Sequence, residues 1–553
     1  MLIKRLTYTL LACGLSLATM AQDTLLLRDY QYAKHDNPWL TSGNAAALTT
    51  LATGSIAQAE MRLNIQKGGH TNYYDAPHAV QATAGIEAFY RLNSRAVAFG
   101  SISYDNWTGK DMTGSAFINP ERKPFNLVED SLTSAGKKHR DTYSLSGGMG
   151  ISVWRQLALG AQIDYTAANY AKYKDLRHKN KLMDLRLTAG AFAPLTSWLS
   201  AGANYIYHRN TESLQFGTYG KSEKVYKTLI DYAAFMGRTE QFGNLGFTDM
   251  SREMPLFEQG HGASLQMDLH TPQGAASQAP QRQLEADSRA LSLFACVALN
   301  HATGYYGRRS PYTITYTRHE RDQLDASARI TYRYRRARYH LDIAYSREQL
   351  NNDAETYREL TNANGATYYE YYDPVETATK TWHQWNVAAI AHLGVRDLLP
   401  TWTFRAHWQR TLREQTAYLY PFFRWQRLCV NALSMDATRH LPVRRAVWAF
   451  SIGGSFQKGD GAPYRDYAFT QQAATAQPTT SVGGTAFLWR EYQYLTSPQY
   501  TIRASVGYTF LLPNTQLKPH VTLSGSHRKA NLTYNESLGC DRTQLQLAIG
   551  CTF

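Results

Sequence analysis

The chain has 553 residues, 58 Lys and Arg against 44 Asp and Glu, a formal net charge of +14 and a mean hydropathy of −0.44. So low a hydropathy excludes a bundle of membrane-spanning helices, each of which needs about 20 consecutive apolar residues. It leaves a membrane β-barrel open, because barrel strands show lipid only every second residue.

Lys4 and Arg5 form a short positive region, and Leu6 to Met20 is mostly apolar. Thr19-Met20-Ala21 places small residues where a signal peptidase reads them. This predicts a secretory signal peptide over residues 1–21. The stretch is too short for a transmembrane anchor. Leu10-Leu11-Ala12-Cys13 looks like a lipoprotein box, but the apolar run continues through Gly14 to Ala18, which argues against cleavage there. The remaining cations are spread singly rather than gathered in a run, so no nucleic-acid partner is expected.

Residues 22–54 precede the first expected strand and are rich in small apolar side chains. Two readings stay open for them: a plug packed inside a lumen, or a periplasmic tail. A wide barrel that must not leak favours the plug.

From there on, period-two patterning recurs. Ala59, Met61, Leu63 and Ile65 alternate with Gln58, Glu60, Arg62, Asn64 and Gln66. Met183 to Ala193 behaves alike, with Asp184, Arg186, Thr188 and Gly190 on the polar side. Gln323 to Tyr334 sets Leu324, Ala326, Ala328 and Ile330 against Asp325, Ser327, Arg329, Thr331 and Arg333. Thr501 to Phe510 sets Ile502, Ala504, Val506 and Tyr508 against Arg503, Ser505 and Thr509. Runs of about 10 to 14 residues suit tilted strands crossing a bilayer, whereas strands of soluble sandwiches are nearer 5 or 6. The 38 Tyr and 11 Trp suit interfacial aromatic girdles.

Short connections fall at 93–94, 155–156, 194–197, 335–337, 397–400, 441–444 and 513–516. Long ones are expected at 106–138, 210–258, 304–322, 351–378 and 459–497, with 271–286 as a longer periplasmic turn. The fold class is therefore all-β: a transmembrane antiparallel barrel of about 18 strands (14 or 16 being the neighbouring even counts), spanning residues 55–553 behind a short N-terminal plug or tail.

Within the long segments, Tyr368, Tyr369, Tyr371 and Tyr372 are candidate loop-binding residues, because exposed aromatics stack on sugars or partner proteins. The competing reading is a strand extension above an aromatic girdle, and Tyr305-Tyr306 poses the same choice. Arg62, Arg186, Arg329, Arg333, Arg405 and Arg503 all fall on polar strand faces and are the lumen-lining candidates. They would raise the local concentration of anions unless lumenal carboxylates such as Glu60, Glu87, Asp164, Asp184, Asp325 and Asp342 pair with them.

No Gly-x-Ser-x-Gly elbow, phosphate loop or His-Glu-x-x-His is present, so no enzyme, catalytic residue, metal site or cofactor is expected. His319-Glu320 reads as a solvated loop, and no partner pattern singles out His208 among the 17 histidines. No CxxC occurs, and Cys540 and Cys551 flank one strand too far apart to bridge, which leaves unpaired thiols.

The last strand ends on an alternating Leu545, Leu547, Ile549, Cys551 and Phe553. With a signal ending at Ala21-Gln22 and tyrosine-rich strands, this ending resembles outer-membrane barrels of the Bacteroidota, in particular the uncharacterised families of about this size often encoded near TonB-dependent receptors. The resemblance implies a cell outer-membrane location. It implies as partners outer-membrane lipid, the barrel assembly machinery and a TonB-dependent receptor encoded nearby. Asn37-Pro38-Trp39 followed by Asn44-Ala45-Ala46 resembles, more weakly, the Asn-Pro-Ala hatch of FadL-type transporters, with Trp39 in place of the Ala. That makes Asn37, Pro38, Trp39 and Asn44 the plug candidates.

Residues 22–36 show no energy-coupling box, so an independently energised receptor is not expected. The leading expectation is a channel or transport accessory for nutrient uptake. The alternative is a surface-binding or adhesion barrel that displays long loops, and the third is an outer-membrane hydrolase.

Overall fold

The computed structural model describes residues 29–553 apart from stretches at 53–54, 70–71, 130–133, 155, 220–222, 243–252, 272–289, 311–312, 397, 444, 472–483, 513–514 and 533–540. The expected signal peptide, Cys540 and nearly all of the expected turn at 271–286 lie outside the described residues.

Eighteen strands form one antiparallel sheet in which sequence neighbours are also spatial neighbours, and the sheet closes on itself. Closure is made by the first strand, Ser55–Gly68, against the last, Asp541–Thr552, in a register running from Gln58 opposite Thr552 to Gly68 opposite Arg542. Phe553 extends that ladder: its carbonyl accepts from the Ala57 N–H at 2.8 Å and its own N–H donates back at 2.9 Å. A closed ring leaves no sheet edge, so backbone donors and acceptors are satisfied within the protein.

The period-two pattern becomes two faces. On the outside, Ile502, Leu265, Ile452, Leu299 and Leu523 are each 59–70% exposed. Cross-strand pairs such as Leu63 with Leu547 and Leu547 with Leu523 carry this apolar surface from strand to strand. A belt of that extent is untenable in water and suits lipid. Exposed Trp154, Trp198 and Trp448 lie near the short-turn end, and Tyr420, Tyr467 and Tyr500 near the opposite end. No described helix is long and apolar enough to cross a membrane. Cys296, Cys429 and Cys551 are unpaired, and Cys551 continues the outward row of Leu547 and Ile549.

The long-loop end departs from the sequence expectation. Strands there run on to 23 residues, as in Ala446–Ala468. The loop expected at 304–322 is instead the meeting of strands Ala290–Ser310 and Thr313–Tyr334, with Ser310 opposite Thr313. The reason is that these strands continue beyond the apolar belt. Outside, no lipid demands an apolar face, and His301 pairs with Asp322 at 2.8 Å. Inside, the wall turns apolar at Leu214, Phe216, Leu256 and Tyr306, because protein packs against it there. Both faces lose their sequence mark while the hydrogen-bond ladder continues. His319, expected on a solvated loop, is an inward residue of this extension, 2% exposed and 3.2 Å from Glu258.

Leu523→Arg, on the outer face midway along strand Lys518–Ala530, is expected to lower stability in reconstituted bilayers by about 2–4 kcal/mol, whereas Ser524→Arg, facing inward, is expected to cost under about 1 kcal/mol. Urea unfolding in vesicles measures the difference, and equal losses at the two positions would contradict the assigned faces.

Candidate functional site

Two bodies of protein occupy the barrel interior, and a chamber lies between them. The first is the N-terminal segment. Its helix Tyr30–Asp36 is capped by Asp29, whose carboxylate accepts from the N–H groups of Gln31 and Tyr32 at 2.9 and 3.1 Å. Two 3-10 turns follow, Pro38–Thr41 capped by Asn37 and Ala45–Thr50 capped by Asn44. Asn and Asp suit these caps because a short side-chain oxygen reaches the free N–H groups of a helix start, and Pro38 occupies a first-turn position that needs no N–H.

This segment sits at the short-turn end, held to several separate strands. Glu87 accepts from the Tyr30 hydroxyl at 2.5 Å and from Lys34 Nζ at 2.6 Å. Arg333 reaches Asp36 at 3.2 Å, and Arg329 donates to the His35 carbonyl at 2.8 Å while forking onto Asp342. The Asp29 N–H donates to the Leu398 carbonyl at 3.1 Å. Trp39 is wedged edge-on between Phe192 and Phe294, with ring centroids 4.7 and 5.0 Å away, and its indole N–H donates to Asp268 at 3.1 Å. Asn44 is 2% exposed and donates to the Ala191 carbonyl and to Gln266 at 3.0 and 3.1 Å. Ala45 and Ala46 lie flush on the wall at Gly150 and Gly160, where any Cβ would collide with their backbone.

The second body is a lid at the long-loop end. Strands Asn126–Glu129, Lys227–Ala233 and Met236–Gln241 form a small sheet inside the barrel mouth, and helix Thr485–Thr496 packs beside it. Its core joins Phe117, Phe125, Leu127 and Ile230 to the wall residues Leu214, Phe216 and Tyr306. Wall arginines pin it. Arg413 meets Glu491 at 2.8 Å, and Arg424 donates to the Ala234 carbonyl at 2.9 Å while forking onto Asp466. The hairpin tip, Ala234 and Phe235, has φ of +51° and +58°, a region that costs a non-glycine residue about 1–3 kcal/mol. Burial of Phe235 against Tyr73 and Phe487, with Gly484 leaving room for its ring, offsets that strain.

Between them lies a cavity of about 920 Å³, lined chiefly by inward hydroxyl, amide and charged groups: Ser434, Ser505, Ser524, Ser526, Gln544, Gln546, Asp436, Arg405 and Arg503, with His35 of the N-terminal segment at its edge.

The six arginines expected to line the lumen all face inward, but their states differ. Arg62 pairs with Glu60, Arg329 with Asp342, Arg333 with Asp36 and Arg503 with Asp436. Arg186 and Arg405 have no ion pair among the described residues and stay exposed to the lumen. Of the carboxylates expected to neutralise them, Glu87 serves the N-terminal segment instead, Asp164 and Asp325 accept from Gln162 and Gln323, and Asp184 takes His208 and Asn210.

The tyrosine cluster lies on the hairpin of Tyr357–Thr361 and Thr367–Tyr371. Tyr369 is buried against Tyr357, and the Tyr371 hydroxyl bridges the Thr313 carbonyl and the Thr315 N–H. Tyr368 is half-buried, and Tyr372 alone of the four is exposed.

A constellation that the sequence did not reveal also emerges. His35, His340 and His392 each place a ring nitrogen within 4.8 Å of the others. Over 300 residues separate the first from the second, and only strand pairing brings them together.

A family model matches residues 45–553, and its description is a family of unknown function, DUF6850. The chain belongs to that family. No curated protein matches this DUF6850 chain in sequence. Among solved structures it is similar to the outer-membrane transporter YddB from Escherichia coli, at 8% identity and TM-score 0.40 over 90% of this chain and 80% of that one. It is also similar to the RagAB peptide importer, at 7% identity and TM-score 0.39 over 91% and 87%. A third is BauA, the ferric preacinetobactin receptor from Acinetobacter baumannii, at 8% identity and TM-score 0.36 over 90% and 80%.

Two measurements probe how these bodies are held. Trp39→Ala empties the slot between Phe192 and Phe294 and is expected to weaken docking of the segment by about 3–5 kcal/mol. Hydrogen exchange over residues 30–50 reads this, with barrel strands unaffected. In the lid, burial pushes the Asp231 carboxyl up to about 7, opposed by Lys380 and Arg424. The folded lid thus holds this proton more tightly than an unfolded chain. That contribution is fully present below about pH 4 and is lost as pH rises through about 7. Lid protection factors should fall over that window, and Asp231→Asn should flatten the profile.

Proposed function

We propose that this protein is a gated outer-membrane barrel that admits a small polar solute, closed toward the periplasm by its N-terminal segment and toward the exterior by its folded lid. The observation that carries the reading is the polar chamber of about 920 Å³ between two separately anchored bodies. A barrel serving only to display loops has no need of an interior chamber, and here the described parts of the longest loops pack inward against the wall.

The chamber chemistry supports a solute class. Its serine hydroxyls and glutamine amides suit a ligand rich in hydrogen-bonding groups, and Arg405, opposite an Asp436 already engaged by Arg503, supplies a positive charge for a carboxylate or phosphate. Little in the lining suits a fatty acyl chain, so the FadL-like element at Asn37–Asn44 serves here as a hatch without implying hydrophobic cargo. Outer-membrane lipid and the barrel assembly machinery are the partners this reading requires, and an energised receptor encoded nearby would supply the force for opening.

Planar-bilayer recordings test the reading. The intact barrel is expected to conduct poorly. Deletion of residues 29–51 combined with Arg413→Ala and Arg424→Ala, which unpin the lid, should raise conductance at least about tenfold and favour anions, whereas either change alone leaves one closure in place. Arg405→Glu together with Arg186→Glu in the combined form should shift the reversal potential toward cations. A barrel freed of the segment and unpinned at the lid that remains sealed would overturn the channel reading in favour of surface binding.

A further inference from the structure

We propose that His35, His340 and His392 form a site for one divalent transition ion, zinc being the reference case, which ties the N-terminal segment to the barrel wall. The site stands on side-chain geometry alone. Its consequence, a metal latch on the hatch, rests on the gating reading above.

The wall supplies two ligands by register. His340 stands opposite Ile390, and His392 is the next inward residue of that strand, so the two imidazoles are diagonal neighbours on one face. Each is set by the residue directly across the adjoining ladder. His340 Nδ1 lies 3.0 Å from the Thr331 hydroxyl, and His392 Nδ1 lies 2.9 Å from the Thr403 hydroxyl. With each Nδ1–H donated to a threonine, the Nε2 lone pairs are left to face the cluster. His340 Nε2 is buried and has no hydrogen-bond partner, an arrangement that costs stability unless something accepts its lone pair.

The third ligand comes from the last turn of helix Tyr30–Asp36. One nitrogen of His35 is 3.4 Å from Asp342, the carboxylate also gripped by Arg329. This is the outer-shell contact that orients ligating histidines in metal sites, and it leaves the other ring nitrogen free. The rings stand edge to face, with centroids 5.0, 5.6 and 6.4 Å apart. Closing the nitrogens from 4.8 Å to the edge of a zinc tetrahedron, about 3.4 Å, needs only small ring rotations. Three imidazoles with no thiolate select zinc, copper or nickel over magnesium or calcium. Because His35 also borders the chamber, the fourth position opens onto it and takes water or a ligand from the solute.

The test uses the untagged mature protein in detergent micelles, stripped with chelator and titrated with zinc, then with cobalt for its ligand-field bands. One ion per barrel is expected, with tetrahedral cobalt absorption. His35→Ala, which leaves every strand intact, should weaken binding at least about tenfold, and Thr331→Val, which frees the His340 ring, by about 10–100-fold. Heat-modifiable gel migration confirms that each variant is a folded barrel. Zinc should also raise hydrogen-exchange protection over residues 30–41 in the wild type and not in His392→Ala. Absence of stoichiometric binding, equal binding by His35→Ala, or protection unchanged by zinc would each overturn the proposal. A barrel that binds zinc in this way but never conducts would instead remove the gating reading and leave the site standing.

Discussion

Everything in this molecule depends on the closed ladder between the first strand and the last. Lipid offers no hydrogen bonds, so a sheet that spans it must satisfy its own edges, and the pairing of Gln58–Gly68 with Arg542–Thr552 does this. Closure fixes which residues face lipid. It also forces the remainder inward, where Arg, Asp, Ser and Gln find water and one another. Interior polarity is therefore a consequence of the outer belt, and function is built on what that consequence leaves available.

The interior is then partitioned by two unlike kinds of packing. At the short-turn end the N-terminal segment docks by a mixture of ion pairs, backbone on glycine, and two small apolar clusters, Trp39 between Phe192 and Phe294 and Tyr30, Leu40, Leu48 and Leu51 with Phe89 and Val97. At the opposite end the wall is apolar, and the lid shares a continuous hydrophobic core with it. The glycines opposite Ala45 and Ala46 illustrate how much the wall is shaped for its occupant: small residues on both sides allow backbone to meet backbone.

The architecture was legible where physics left a two-fold mark. Strands through Leu63, Leu187, Ile330 and Val506 stand where alternation places them, because one side meets lipid and the other water. Their upper ends were not legible. Tyr306 and Phe216 face inward yet are apolar, while His301 and Asp322 face outward yet are polar. The candidate sites divide in the same manner. The inward direction of Arg405 follows from period two alone. The engagement of Glu87 by Tyr30 and Lys34, and the meeting of His35 with His340 and His392, are set by register between distant strands and by where a helix docks, which no local pattern encodes.

The contrast between the two bodies bears on which one moves. The lid is tethered to the wall at both ends of each loop, and opening it exposes Phe117, Phe125 and Phe235 to water at roughly 25 cal/mol per Å² of apolar surface. Among the described residues, the N-terminal segment continues into the barrel through its C-terminal side, at the first strand. Its polar contacts, ion pairs such as Arg333 with Asp36, can be replaced by water in the chamber at modest cost. Its apolar contacts cost more, since release strips the Trp39 indole from two aromatic rings and bares Tyr30, Leu40, Leu48 and Leu51, which cluster with Phe89 and Val97. On the gating reading, the periplasmic side, with the smaller apolar contact, is the cheaper one to open, and a pull on the segment has to unseat Trp39 together with the cluster of Tyr30, Leu40, Leu48 and Leu51. An ion held by His35 and the wall adds a second restraint at the opposite end of the same short stretch, so that release depends on two unrelated chemistries rather than on one.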